Sequence, residues 1–239
     1  MRRFSGIAAA SAALVAAAVV LPAPARAQET SRAVAGGGIS VAGWKGKVDA
    51  NEARRGMTID NAKLVTMGPG MHVTTGPATT YWNPSNTASG DYTVKATFNE
   101  AKFMDLSPHP HPYGIVIAGN DMDSDTPSYL YCAAYGDGKF IVRGFAPGNP
   151  RGTFQMNGQE GEMNAAVHKA EAKGKPVQQT IAMSVKGDKV TCNINGTDVA
   201  TYTKADLAAK GLKSLDGMYG IRFAHNTDAH VAGFTMTKP

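Results

Sequence analysis

"VTCNINGTDVATY", residues 190–202, decides the fold class. Val190, Cys192 and Ile194 alternate with Thr191 and Asn193, the period of a strand with one face against a core. Asn195-Gly196 follows, the dipeptide that best accepts the positive φ of a tight turn, and a second strand run begins at Thr197. The stretch therefore reads as a β-hairpin. The same pattern recurs outward from it. "DYTVKATF" (91–98) puts Tyr92, Val94, Ala96 and Phe98 on one face and Thr93, Lys95 and Thr97 on the other. "TIAMSV" (180–185) does so with Ile181, Met183 and Val185. Gly187-Asp188 and Asp137-Gly138 mark two further hairpins, with the Asp of each pair expected at positive φ. Helix signals are few: Lys204 to Gly211, with Gly211 as its stop, and a weaker stretch from Asn164 to Gly174. Many short strands, one or two short helices and no strand–helix–strand rhythm imply an all-β, two-sheet antiparallel sandwich.

The N-terminus carries an export pattern. Arg2 and Arg3 precede an apolar run from Ile7 to Leu21, and "ARA" at Ala25–Ala27 is a small-x-small cleavage site. The run is about 15 residues, short of the roughly 20 a membrane span needs. Residues 1–27 are thus expected to be a cleaved signal peptide, 28–42 a polar, Gly-rich flexible leader, and 43–239 one domain. The expected location is periplasmic or extracellular. Removing Arg2, Arg3 and Arg26 lowers the formal charge from +5 to +2. No basic cluster longer than a pair remains, which argues against nucleic acid as a partner, and no second apolar run reaches membrane-span length. Cys132 and Cys192 both lie within strand patterns. An oxidising compartment permits a disulfide between them, while burial as free thiols suits the same pattern.

"GMHVTTGPATTYWNP", "GDYTVKATF", "HPYGIVIAGND", "YLYCAAYGDGKFIVRG", "VTCNINGTDVA" and "YGIRFAHNTDAHVAGF" occur in order along the chain. Together they resemble the concanavalin A-like lectin/glucanase superfamily, jelly-roll domains of the laminin-G type, from about Gly43 to Thr237. The chain is also distantly similar to the domain of unknown function named after 3-keto-disaccharide hydrolases. Where that group carries an "NSGIFFR"-like strand this chain reads "PYGIVIAG", without the Asn-Ser and the Arg. The resemblance implies a jelly roll and leaves the activity open.

A retaining glucanase needs two carboxylates about 5 Å apart, which an ExDxE strand supplies. No such run exists, and Glu160-Gly161-Glu162 lies in a polar, Gly-rich stretch. No catalytic residue is assigned. In the "SYLYCAAY" strand (128–135), Leu130, Cys132 and Ala134 take the core side, leaving Tyr129 and Tyr131 on the other face. Tyrosines on the non-core face of a jelly roll suit sugar, with ring faces for stacking and hydroxyls for hydrogen bonds. Arg143, Arg222 and Asn193 share that face by alternation. Trp82, in "TTYWNPSN", and His109 and His111, in "SPHPHPY", are candidate rim residues, although the prolines also make that segment a rigid lead-in to a strand. The two histidines are a weaker metal candidate, with His225 or His230 to complete it. In "GNDMDSDTPSY", Asn120, Asp121, Asp123 and Asp125 offer oxygens at a spacing that suits calcium, though the EF-hand template fails at Thr126 and Cys132.

The expectation is a secreted, non-catalytic, lectin-like domain holding a saccharide on its concave sheet. A saccharide hydrolase with an unrecognised site, or an envelope module that binds protein, are the alternatives.

Overall fold

The computed structural model describes Met1, residues 29–149 and residues 152–239, so the expected signal segment lies, Met1 apart, outside the described residues. Met1–Thr30 separates as its own unit; the second, Ser31–Pro239, is the β-sandwich. Its strands, in chain order, are β1 (Gly38–Ile39), β2 (Lys45–Val48), β3 (Ala62–Met67), β4 (Gly70–Thr75), β5 (Thr79–Ala88), β6 (Tyr92–Glu100), β7 (Tyr113–Asn120) and β8 (Ser128–Ala134). Then come β9 (Lys139–Phe145), β10 (Thr153–Gln155), β11 (Glu162–Met163), β12 (Val177–Lys186), β13 (Lys189–Ile194), β14 (Thr197–Thr203), β15 (Gly217–Phe223) and β16 (Asp228–Thr237). Two short helices, α1 (Ala50–Ala53) and α2 (Lys204–Ala209), interrupt them.

The strands form two sheets. One runs β1-β3-β4-β16-β6-β12-β13-β14; the other runs β10-β9-β8-β7-β15-β5-β2, with β11 on β9. All pairs are antiparallel except β1 with β3. This is the expected all-β jelly-roll sandwich.

Registry places like with like. β6 meets β12 with Ala96 opposite Ile181 and Val94 opposite Met183, so both inward rows face the other sheet. Leu64, Val73, Val94 and Phe98 of the first sheet pack against Tyr113, Ile115, Leu130 and Phe223 of the second, all without solvent exposure. Phe98 lies 5.4 Å from the Tyr113 ring and 5.9 Å from the Phe223 ring. Burying one such ring contributes about 2–3 kcal/mol. A disulfide from Cys132 on β8 to Cys192 on β13, with Cα atoms 6.1 Å apart, ties the two sheets through this core. The thiols left open by the sequence are therefore paired.

Local differences have local causes. Asn195 and Gly196 both take positive φ, as the hairpin requires. At the other two turns only Gly187 and Gly138 do; Asp188 and Asp137 do not. Gly187 is first of its central pair and needs no second positive φ, whereas Gly138 follows a turn that its own N–H closes on the Tyr135 carbonyl, so Asp137 keeps an ordinary φ. The α2 helix forms as expected, with Thr203 and Asp206 capping each other reciprocally. The stretch Asn164 to Gly174 is not a helix. Tertiary hydrogen bonds claim its backbone: His168 N–H donates to Gln179 Oε1 at 3.0 Å, and Asn195 Nδ2 donates to the Ala166 carbonyl at 2.7 Å. Part of the Gly-rich leader is also engaged. Gly38–Ile39 pairs with β3, and the buried Ser31 hydroxyl donates to Glu52 Oε2 at 2.7 Å.

Candidate functional site

The outward face of the second sheet is not polar. Leu130, Cys132 and Ala134 point into the core, and Tyr129, Tyr131 and Ala133 point the other way. With Trp82 of β5, Val116 of β7 and Ile141 of β9 they form a second apolar cluster, separate from the core. Tyr129 and Tyr131 are almost wholly covered, at 3% and 6% exposure. They are the base of a structure built on top of the sheet, not an open floor.

Arg222 is the centre of that structure. It projects outward from β15 and is 7% exposed. Its guanidinium donates both of its terminal nitrogens to Asp49, at 2.8 and 2.5 Å. The same group donates to Thr80 Oγ1 at 2.7 Å and to the Tyr129 hydroxyl at 3.3 Å. The rings of Tyr131 and Phe145 each lie 5.0 Å from its central carbon, within cation–π range. Burial alone would lower the Arg222 pKa, but Asp49 beside it outweighs that and holds it above the ordinary value. Burial also pushes the Tyr129 hydroxyl up, against a smaller opposing effect of Arg222, so it stays neutral and shares a 2.9 Å hydrogen bond with Thr80. Asp49 occupies the N-cap position of α1 yet makes no capping bond, because its carboxylate is committed to Arg222. The ion pair thus pins α1 to the sheet.

Above this base lies a cleft of about 540 Å³. Asn51 of α1, with the capping residues Asp49 and Arg54 at its two ends, forms one wall, and the segment from Phe145 to Asn149, with Gly152 and Thr153, forms the other. Met122 and Asp125 to Pro127 close a third side, and Trp82, Thr80 and Tyr129 lie beneath. Trp82 is 2% exposed, and its indole Nε1 is buried with no hydrogen-bond partner. A buried donor left unmet costs about 1–3 kcal/mol. The cleft's two carboxylates are matched by cations, Asp49 by Arg222 and Asp125 by Lys47 at 3.8 Å. Arg54 is held by its own helix, donating to Asn51 Oδ1.

The structure gathers only some of the sequence candidates here. Trp82 and Tyr129 line the cleft; Tyr131 and Arg222 lie just under it. Arg143 shares their face on β9 and donates to the Gln159 carbonyl at 2.6 Å. Asn193 does not share it. It sits on β13 of the first sheet, where its amide binds Asp198 at 2.7 Å beside the hairpin. Neither histidine of "SPHPHPY" lines the cleft. His109 is exposed, with its N–H on Ser107 Oγ at 2.9 Å, and His111 packs edge-to-face on His225, 4.1 Å between centroids. His225 in turn lies 3.7 Å from the buried Glu52. His230 is elsewhere, beside His72 on the first sheet.

The acidic loop divides in the same way. Asp121 pairs with Lys213, Asp123 with Lys45 at 2.8 Å, and Asp125 with Lys47. The Asn120 amide donates to the carbonyls of Ala118 and Asp216, both at 3.0 Å. Among the described residues Asp121, Asp123 and Asp125 are not brought within ligand reach of one another. The calcium reading therefore lacks convergent oxygens here. What the sequence reading missed is the wall, Asp49, Asn51, Arg54 and Phe145. Its one local signal was an Asp just before "ANEARRG", a helix N-cap pattern.

No family model matches the sequence, and no curated protein is similar to it. Among solved structures, the chain is similar to the carbohydrate-binding module CBM66 from Bacillus subtilis, at 7% identity and a TM-score of 0.54 over 84% of this chain and 98% of that one. It is also similar to a protein of unknown function with a galectin-like fold from Bacillus subtilis, at 10% identity and TM-score 0.49, covering 82% and 89% of the two chains. Alginate lyase A1-II′, of polysaccharide lyase family 7, gives 12% identity and TM-score 0.48 over 82% and 94%. At such identities likeness shows the fold alone. That fold is the two-sheet antiparallel jelly roll, shared with the CBM66 module.

Proposed function

We propose that the protein is an exported carbohydrate-binding domain, with its saccharide held in the cleft between α1 and the segment from Phe145 to Asn149. The observation that carries this is the cleft itself, about 540 Å³ over an aromatic base of Trp82, Tyr129 and Phe145. The Asn51 and Thr126 side chains among its lining supply polar groups for sugar hydroxyls. The cleft volume is in the range of small-molecule sites. Binding is favoured over hydrolysis because the Asp49 carboxylate is committed to Arg222 by two hydrogen bonds, which leaves Asp125 without a second carboxylate in the cleft to share the acid and nucleophile roles. Export rests on Arg2, Arg3, the apolar run and "ARA". Among the described residues no helix is long and apolar enough to cross a membrane.

The test is thermal unfolding and calorimetric titration against neutral and acidic oligosaccharides, each with calcium and with EDTA. A ligand of the native state raises the unfolding midpoint by mass action. One sugar class is expected to bind, and Asn51→Ala to weaken it roughly tenfold. EDTA is expected to change nothing, because the carboxylates of the acidic loop do not converge on one point. A flat panel with a folded protein overturns the proposal.

A further inference from the structure

Three strand irregularities meet at one place on the opposite side of β5. Between β5 and β15 the register passes from Trp82 opposite Gly220 directly to Thr87 opposite Met218. Asn83 to Asn86 therefore stand out of the ladder on one strand, and Tyr219 on the other. On β16 the register against β6 passes from Ala232 opposite Thr97 to Thr235 opposite Lys95. An extra residue is accommodated there, and Gly233 takes φ of +61°. Such bulges re-aim side chains and concentrate beside functional sites.

Here they assemble an aromatic platform. The Phe234 ring lies 5.4 Å from Trp44 and 5.7 Å from Tyr219. Trp44 is half-buried and is presented by a tight turn, its N–H on the Val41 carbonyl at 3.1 Å and Gly43 at φ +75°. Gly43 also makes a close approach: a Cβ there would lie 2.9 Å from Asn83 Nδ2 and would push that amide aside. The Asn83 side-chain oxygen accepts from the Ser85 N–H at 2.9 Å, which fixes that amide. Trp44, Phe234, Asn83, Asn86 and Thr66 line a cleft of about 430 Å³. Among the described residues no charged side chain lines it, in contrast to the first cleft.

We propose that this cleft is a second saccharide-binding site, for a neutral sugar, independent of the first. A half-exposed tryptophan offers an apolar ring for the C–H face of a pyranose, and amides and a hydroxyl at its edge meet sugar hydroxyls from either side. Carboxylated or sulfated sugars find no cation there. The domain is then bivalent, and two modest sites on one rigid body bind a long polymer more tightly than either alone.

The protein has two tryptophans, one in each cleft, so intrinsic fluorescence reads the sites separately. In Trp82→Phe only Trp44 reports; in Trp44→Phe only Trp82 does. Each variant is titrated with cellohexaose, laminarihexaose, xylohexaose and maltohexaose, and with tri-galacturonate, with acrylamide quenching as a second readout. The expected result is a saturable change in Trp44 emission with at least one neutral hexaose, protection from acrylamide, and no response to tri-galacturonate. Asn86→Ala in the Trp82→Phe background is expected to weaken it roughly tenfold. If Trp82→Phe fails to fold, the difference between the wild-type protein and Trp44→Phe isolates the same signal. A Trp44 signal unmoved by every neutral hexaose in folded protein overturns the second site. A silent Trp82 beside a responsive Trp44 overturns the first-cleft reading and leaves this one standing.

Discussion

The two sheets share one core but treat their outward faces in opposite ways. Outside the first sheet, Thr93, Lys95, Thr97, Thr180, Thr191 and Asp228 stand in solvent or half in it. They are linked by light cross-strand contacts such as Thr97 to Thr180 at 2.9 Å and Thr191 to Thr201 at 3.1 Å. Outside the second sheet, Trp82, Val116, Tyr129, Tyr131 and Ile141 are buried under α1 and the Phe145 segment. A two-sheet sandwich needs one apolar layer, between the sheets. The second apolar layer is surplus to the fold, and it carries the cleft. Where the chain spends apolar and aromatic side chains beyond what the sandwich requires is where binding is best sought.

The largest expected effect tests whether that second layer is a locked platform. Asp49→Ala leaves the Arg222 guanidinium buried without its counter-charge, which costs about 3–5 kcal/mol. The matched change on the first sheet is Asp228→Ala. Asp228 also holds two partners, Thr74 Oγ1 at 2.6 Å and His72 Nε2 at 3.1 Å. Burial alone would raise its carboxyl; those two hydrogen bonds, together with the attraction of His72 and Lys102, outweigh burial and hold it below the usual range. Its side chain is nevertheless 37% exposed, so its loss is expected to cost about 1 kcal/mol. Urea denaturation of the two variants checks the pair. Equal losses would break the contrast between the faces. Asp49→Ala should also abolish ligand binding in the first cleft, since α1 loses its anchor, while Asp228→Ala leaves it unchanged.

The sequence makes half of this contrast visible. Alternation alone assigns Leu130 inward and Tyr129 outward on β8, and Val94 inward and Lys95 outward on β6, and the structure agrees. Alternation says inside or outside, but not outside which sheet. Asn193 therefore has the right parity and the wrong face. Nor does it say what covers a face. Asp49 and Arg222 lie 173 positions apart, and nothing local to either announces the other. The acidic loop misleads for a related reason. Its three carboxylates look like ligands only until Lys45 and Lys47 of β2 and Lys213, just before β15, arrive from elsewhere in the chain. The bulges of β5 and β16 are equally silent, because an extra residue is a property of two strands together, and the sequence displays one at a time.

A second test uses the residue that departs from the rule on the first sheet. β6 sends Tyr92, Val94, Ala96 and Phe98 inward, and Glu100 follows in the same row, 6% exposed. Burial pushes its carboxyl up to about 7, against a smaller opposing hydrogen bond from the Met104 N–H at 3.1 Å. The folded state therefore holds a proton that the unfolded chain has released, between the ordinary value near 4.5 and about 7. Stability contributed by this group is present below that window and falls as pH rises through it, by about 3 kcal/mol. Unfolding free energy measured from pH 4.5 to 8 should decline in the wild-type protein and be flatter by that amount in Glu100→Gln, which keeps an acceptor for Met104. Parallel profiles would mean that Glu100 titrates normally.

The smallest effect bears on the polar face itself. Thr97 and Thr180 exchange a hydroxyl hydrogen bond across neighbouring strands, half exposed, with water ready to replace either partner. Such a cross-strand pair is worth about 0.2–1 kcal/mol. Thr97→Ala should therefore shift stability by no more than about 0.5 kcal/mol and leave binding in the first cleft untouched. The value of so small a prediction lies in its partner on the other face. Thr80 also makes a threonine hydroxyl bond, to Tyr129 at 2.9 Å, but it is buried, and it accepts from Arg222 as well. The same chemistry on the two faces sits in two dielectrics, and only the buried one leaves unmet partners behind when the hydroxyl is deleted. If Thr97→Ala proved as costly as a change at Asp49, the first sheet's outward face would not be the solvated surface its composition describes. It would then have to be covered by something, and the search for a partner would move there.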